Sequence, residues 1–275
     1  MRRCPAALMA MVLSCHLAPA ASLDDAFDRM YRHDFPAAQQ ILSQYIAQHP
    51  KDPLGYTMKS AAYLFAELDR LQILESEFFG NDKRIADKKQ VKADPAVRTA
   101  VYENLEKARE LAHATLAGAP EDKNALFAVC ISFGIQTDYM ALIEKKQLRS
   151  LSAARESHNW ALKLLKLDST FYDAYLTTGL SEYLLGSVPF FVRWVLRFED
   201  TKGSKNVAVE NLQKVAANGR YFRPFAKVLL AIIHLREKRP LQAEMQLVEL
   251  HHEFPENPLF KKEMEKLARR RSLSR

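Results

Sequence analysis

His251, His252 and Glu253 stand together in the chain, and such a run invites a metal-binding reading. Neighbouring residues on a helix point about 100° apart, whereas helical chelating pairs stand at i and i+4. The run also lies beside Pro255, so capping of a helix end is the plainer role. His113, His158 and His234 are isolated and read as packed or capping histidines rather than bases. Cys130 sits inside the apolar run Leu126–Ile131, which suits a buried thiol and not a nucleophile. The chain has no GxSxG, HExxH, phosphate loop or GxGxxG. Asp and Glu are plentiful, but no spacing pairs them. These residues lead us to expect no catalytic group, no metal and no cofactor.

Residues 188–198 are the most unusual stretch. Phe190, Phe191, Trp194 and Phe198 alternate there with Arg193 and Arg197. An aromatic-basic helix of this kind can lie in a membrane interface or dock in a partner's groove. Alternatively Phe190, Trp194 and Phe198, spaced four apart, form a buried face with the arginines on the wet side. The tip residues Phe190 and Phe191, with Arg193 and Arg197, are the candidate contacts.

The elements that must carry these groups repeat. Ala38, Ala108 and Ala243 are each followed twelve residues later by a proline, Pro50, Pro120 and Pro255. Ala208 to Arg220 and Ser157 to Ser169 keep the interval with a degraded endpoint. A small residue recurs ten or eleven residues further on, at Ser60, Cys130, Gly179 and Ala231. Small residues let helices approach, and proline cannot continue a helix, so this rhythm predicts stacked helix pairs. Leu23 to Arg32 and Ala37 to Gln48 read as the first pair, joined at His33-Asp34-Phe35-Pro36. Long helices are expected over Leu54–Phe79 and Asn124–Lys146, with a capping helix over Phe260–Arg271.

The chain resembles the tetratricopeptide repeat family. Bulky-small pairs at Tyr56 and Ser60, Leu126 and Cys130, and Tyr175 and Gly179 carry the resemblance. So do the turns Asp34-Phe35-Pro36-Ala37-Ala38 and Lys238-Arg239-Pro240-Leu241-Gln242-Ala243. The first and last units keep the family's twelve-residue step between small anchors. Ser60 to Ala108, Cys130 to Ser157 and Gly179 to Ala208 exceed it, implying insertions of 36, 15 and 17 residues within the middle units. The resemblance implies a concave groove lined by the first helix of each pair. Its expected lining is Leu54, Thr57, Ala61 and Leu64; Asn124, Phe127, Ile131 and Gly134; Asp173, Leu176, Leu180 and Tyr183; Phe225, Val228, Ile232 and Leu235. That set is largely apolar and lacks the basic side chains that would clamp a peptide carboxylate. Either the inserted helices fill the groove as core, or the groove takes an apolar chain. Thr57, Asn124, Phe127, Asp173 and Tyr183 are the groove positions taken as candidate binding residues.

Composition agrees with a helical chain. Of 275 residues, 48% are hydrophobic and 27% charged, enough to bury a core, and eight glycines are few for an α/β enzyme. Arg2 and Arg3, the apolar run Ala6–Leu13 and Ala18-Pro19-Ala20 resemble an export signal, expected to occupy residues 1–21 ahead of one domain, 22–275. Val12-Leu13-Ser14-Cys15 offers an alternative, with Cys15 lipidated. A single remaining cysteine, Cys130, then excludes an internal disulfide. The net charge of +7 is concentrated toward the C-terminus, at Lys261, Lys262, Lys266, Arg269, Arg270, Arg271 and Arg275. This reads as a solvated final helix. Nucleic acid is not expected for an exported chain.

The expected protein is thus an all-α solenoid of about five helix pairs with lengthened middle helices and a capping helix. The expected function is non-catalytic binding of a protein partner in the bacterial cell envelope, periplasmic or lipid-anchored, with peripheral membrane contact as a further expectation. The rival is a periplasmic carrier of a small ligand, resembling repeat proteins associated with solute transporters. An enclosed apolar cavity would favour the carrier. An open groove with an exposed aromatic patch would favour the protein partner.

Overall fold

The computed structural model describes residues 21–74, 92–187 and 203–273. Residues 1–20, with Cys15, lie outside the described residues, as do Phe190, Phe191, Arg193, Trp194, Arg197 and Phe198. The described residues form eleven α-helices and no strand. They are α1 (Leu23–Tyr31), α2 (Phe35–Gln48), α3 (Pro53–Arg70) and α4 (Pro95–Gly118). Then come α5 (Lys123–Asp138), α6 (Gln147–Leu167), α7 (Tyr175–Ser187) and α8 (Lys205–Asn218). The last three are α9 (Arg223–Arg236), α10 (Pro240–Glu253) and α11 (Pro258–Leu273). Each helix packs on the next in the chain, and α3 also packs on α5.

Helix starts follow local chemistry. Asp34, Asp52, Asp94, Asp122 and Ser204 each accept a backbone N–H from the first turn of the helix they precede, and prolines occupy the first turns of α2, α3, α4, α9 and α10. Those prolines lack the N–H that would have no partner there. The ends of α1, α3 and α9 share one device. His33, Gln72 and Lys238 adopt the left-handed region, with φ of 68°, 57° and 58°. The next residue's N–H then reaches back five residues: Asp34 to Arg29 O, Ile73 to Leu68 O and Arg239 to His234 O, at 2.8, 2.8 and 2.7 Å. This is a Schellman closure without glycine. It ends α3 at Arg70, short of the expected Phe79, whose surroundings lie outside the described residues.

Two pairs of small residues meet where the spacing placed them, whereas Ser60 Oγ donates to the Val101 carbonyl at 3.1 Å, seven residues ahead of Ala108. Ala26, Ala38, Ala108, Ala208 and Ala243 are fully buried. Ser157 Oγ donates to the Cys130 carbonyl at 2.8 Å, so α6 crosses α5 at the anticipated pair. A Cβ on Gly179 would stand 3.3 Å from the Ala208 carbonyl oxygen, placing α7 and α8 in the same relation. Cys130 is wholly buried and its thiol is pushed up to about 11 by burial, which keeps it protonated.

Two of the three insertions, those between α3 and α4 and between α7 and α8, are bracketed by a carboxylate clamp. Glu67, buried at the end of α3, accepts two hydrogen bonds from Arg70 at 2.7 Å and one from the Asp94 N–H at 2.8 Å. Glu182 on α7 accepts the Ser204 N–H at 2.7 Å. Each clamp ties one helix to the cap residue of the helix it packs against.

Helix α5 continues into a π-helical turn, Tyr139–Ile143. The stretch Lys123–Ile143 is long and apolar enough to cross a membrane, yet Ala125–Ser132 are all buried against neighbouring helices. Asp138 precedes the π turn, and no hydrogen bond to its carboxylate is present among the described residues. Its side chain is only partly buried, and desolvation raises its pKa to about 7, a rise that its contact with solvent moderates. An unfolded Asp titrates near ~3.9, so the folded state holds an extra proton between these values. Stability should therefore decline as pH rises from about 4 to about 7 and level off above. Asp138→Asn should remove this decline and gain on the order of 1–2 kcal/mol at pH 8. Urea titrations at pH 5 and pH 8 measure both quantities.

Candidate functional site

The groove positions of α3, α5, α7 and α9 converge, but a segment of the same chain enters between them. Asp173 lies just ahead of α7 and is only 4% exposed. Its carboxylate accepts three backbone N–H groups, from Arg220 at 3.0 Å, Tyr221 at 3.2 Å and Phe222 at 2.9 Å. Burial raises the pKa of Asp173, and the three donors oppose that rise. The arrangement aims Tyr221 and Phe222 inward. Phe27 of α1 meets Tyr221 at 5.0 Å and Phe222 at 5.5 Å between ring centroids. Phe127 of α5 lies 4.9 Å from Phe171 and 6.0 Å from Phe222. Residues 221 and 222 thus form an aromatic plug shared by α1, α5 and α9.

The plug brings the two ends of the chain together. Tyr31 donates its phenol to the Tyr221 carbonyl at 2.8 Å, and Asn257 Nδ2 donates to the Tyr31 carbonyl at 2.8 Å. Arg32 pairs with Glu256 at 2.8 Å, and Arg220 with Asp24 at 2.7 Å. Burial holds the Tyr31 phenol well above its ordinary pKa, so it stays a donor.

Behind this seam lies a partly open cavity of about 130 Å³. Phe27, Met30, Tyr31 and Phe35 form its N-terminal wall, Ala61, Phe65 and Leu74 its floor, and Phe225, Val228, Ile232 and Leu235 its facing wall. Leu259 and Phe260 of α11 close the end. The surface is almost wholly apolar. The polar groups at its edge are engaged: Asn257 Oδ1 accepts the Leu259 N–H at 3.0 Å, Glu263 pairs with Lys266 at 2.9 Å, and His33 Nε2 lies 3.1 Å from Asp69. The arrangement can desolvate an uncharged apolar group. It presents no charge to hold an ionic one.

The sequence-derived candidates divide between these features. Asp173 is spent on the loop before α9. Thr57 is fully buried, its hydroxyl bonded to the Pro53 carbonyl within its own helix. Phe127 is core beneath the plug. Tyr183 is buried and accepts from Arg236 Nε at 3.0 Å. Asn124 is exposed and bonds Asp52 at 2.8 Å. Of the sixteen groove positions, Ala61, Phe225, Val228, Ile232 and Leu235 line the cavity. Among the described residues, the chain at 221–222 enters the groove; most of the inserted segments expected to fill it lie outside the described residues. The N-terminal wall and the α11 wall are not foreseeable from the repeat pattern, because only end-to-end closure brings α1 and α11 to α9. The aromatic richness of Phe27, Tyr31 and Phe35 is the one signal the sequence offers. Among the described residues, no three His, Cys, Asp or Glu side chains come together in a way that could hold a metal ion, and His252 stands exposed on α10.

Comparison with protein-family models finds no match to this chain, and comparison with curated proteins finds none either.

Proposed function

We propose that the protein is a non-catalytic binding protein built as a tetratricopeptide-like solenoid of five helix pairs and a capping helix. In this reading the cavity between α1, α3, α9 and α11 holds a small uncharged apolar ligand. The observation that carries it is the cavity itself: apolar on every wall, with its polar rim already hydrogen-bonded. An apolar cavity of roughly 150 Å³ accepts benzene in another protein, so about 130 Å³ here suits one aromatic ring or a short alkyl segment. Consecutive helix packing and the buried small residues at the predicted crossings support the solenoid reading. Export to the cell envelope, by cleavage near residue 21 or lipidation at Cys15, belongs to the same proposal and rests on the N-terminal sequence alone. Mass spectrometry of the secreted chain tests it.

Toluene serves as the ligand probe. A saturable rise in melting temperature is expected for the wild-type chain, because a ligand that binds only the folded state stabilises it. Val228→Phe places a ring in the cavity and should abolish the rise while leaving the helical circular dichroism unchanged. An equal rise in both chains, or none in the wild type, overturns the reading.

A further inference from the structure

Helix α10 is apolar on two opposite sides. Ala243, Leu247 and Leu250 face inward and are buried. Leu241, Met245 and Val248 recur at i, i+4 and i+7 on the outer side, 62%, 62% and 52% exposed. A helix at a protein surface ordinarily turns charged residues outward, so the packing of the helices does not account for this stripe. Its electrostatic setting is specific. Two flanking carboxylates are neutralised by partners on neighbouring helices: Glu244 by Arg271 of α11, and Glu249 by Lys227 of α9 at 2.8 Å. Lys238 and Arg239 at the head of the stripe are exposed and form no ion pair among the described residues. His252 is exposed in line with Val248, four residues on. The face is therefore an apolar line with two exposed basic side chains at its head, Glu237 being the carboxylate on which Arg239 acts.

We propose that the outer face of α10 docks the protein on an anionic lipid bilayer. Leu241, Met245 and Val248 enter the headgroup–acyl boundary, and Lys238 and Arg239 attract acidic headgroups. A short apolar stripe combined with basic residues is the pattern of interfacial helices. Three side chains fall far short of the ~800 Å² per partner that a stable protein interface buries, which argues against a second copy as the occupant. The chain's net charge, +7 with Arg2 and Arg3 and +5 without them, acts in the same direction. This inference is independent of the cavity.

Flotation with vesicles of phosphatidylglycerol and phosphatidylcholine tests it, using the whole chain and its variants so that every other lipid-contacting segment is held constant. The triple variant Leu241→Ser, Met245→Ser, Val248→Ser should partition at least tenfold less into anionic vesicles, with an unchanged melting temperature. Lys238→Gln with Arg239→Gln should erase the preference for anionic over neutral vesicles. Should the triple variant lose stability, Met245→Glu alone puts a charge at the centre of the stripe and should show the same loss. Equal flotation of wild type and variants overturns the proposal. So does a wild-type dimer on gel filtration that the triple variant dissociates, since a second copy would then occupy the stripe.

Discussion

Asp173→Ala is expected to destabilise the protein by roughly 3–5 kcal/mol, a larger loss than ordinary single substitutions cause. The carboxylate is the acceptor for the N–H groups of Arg220, Tyr221 and Phe222. Tyr221 and Phe222 are themselves buried, so their N–H groups cannot turn to water without moving the loop. Each buried donor left without a partner costs about 1–3 kcal/mol, and partial relaxation of the loop lowers the sum. A domain's whole stability is only about 5–15 kcal/mol. The plug should loosen, and with it the contacts of Phe27 and Tyr31 that join the two ends. Equilibrium urea unfolding measures the loss, and near-ultraviolet circular dichroism reports the aromatic packing. Asp173→Asn keeps an acceptor oxygen and should cost about half as much. A change under ~0.5 kcal/mol for Asp173→Ala, within the range of ordinary surface substitutions, would mean that the loop is held by other contacts.

Gly179→Leu is expected to cost about 2–3 kcal/mol by overpacking. A Cβ at this position would stand 3.1 Å from Leu212 Cγ and 3.3 Å from the Ala208 carbonyl oxygen. The leucine can shift by a few tenths of an ångström, whereas the carbonyl belongs to α8 and cannot move alone. A full leucine side chain must therefore push α7 and α8 apart. Gly179→Ala needs only the small shift of Leu212, and alanine's helix preference, worth about 1 kcal/mol over glycine, offsets it. Thermal melts of the two variants should separate clearly. If Gly179→Leu melts with the wild type, the α7–α8 crossing is not where the geometry puts it.

Much of the helical framework is legible in the sequence because its causes are local. Aspartates and serine with a following proline mark helix starts by supplying an acceptor and removing an unneeded donor. The interval between small residues marks crossings because only a small side chain allows two backbones to approach. Thus spacing alone pairs Cys130 with Ser157, and Gly179 with Ala208, despite the insertions between them. The end of α3 is not legible in the same way, because Gln72 takes the left-handed conformation that sequence preference assigns to glycine. The buried Ile73, bonded back to Leu68, fixes that closure, and burial is a property of the whole fold.

Helicity, the small residues at the α5–α6 and α7–α8 crossings, and the largely apolar character of the groove positions are therefore readable from the sequence. Hydrogen-bond capping, helix period and side-chain size act over a few residues and can be read from them. Only the tertiary structure decided what becomes of the groove. The hydrogen bonds of Asp173 to residues 220–222 span nearly fifty positions, and the contact of Tyr31 with Tyr221 spans 190. No local preference encodes those distances. They follow from the accumulated curvature of ten consecutive helix–helix packings, which brings α1 to α9 and α11 and creates the cavity from the two ends of the chain.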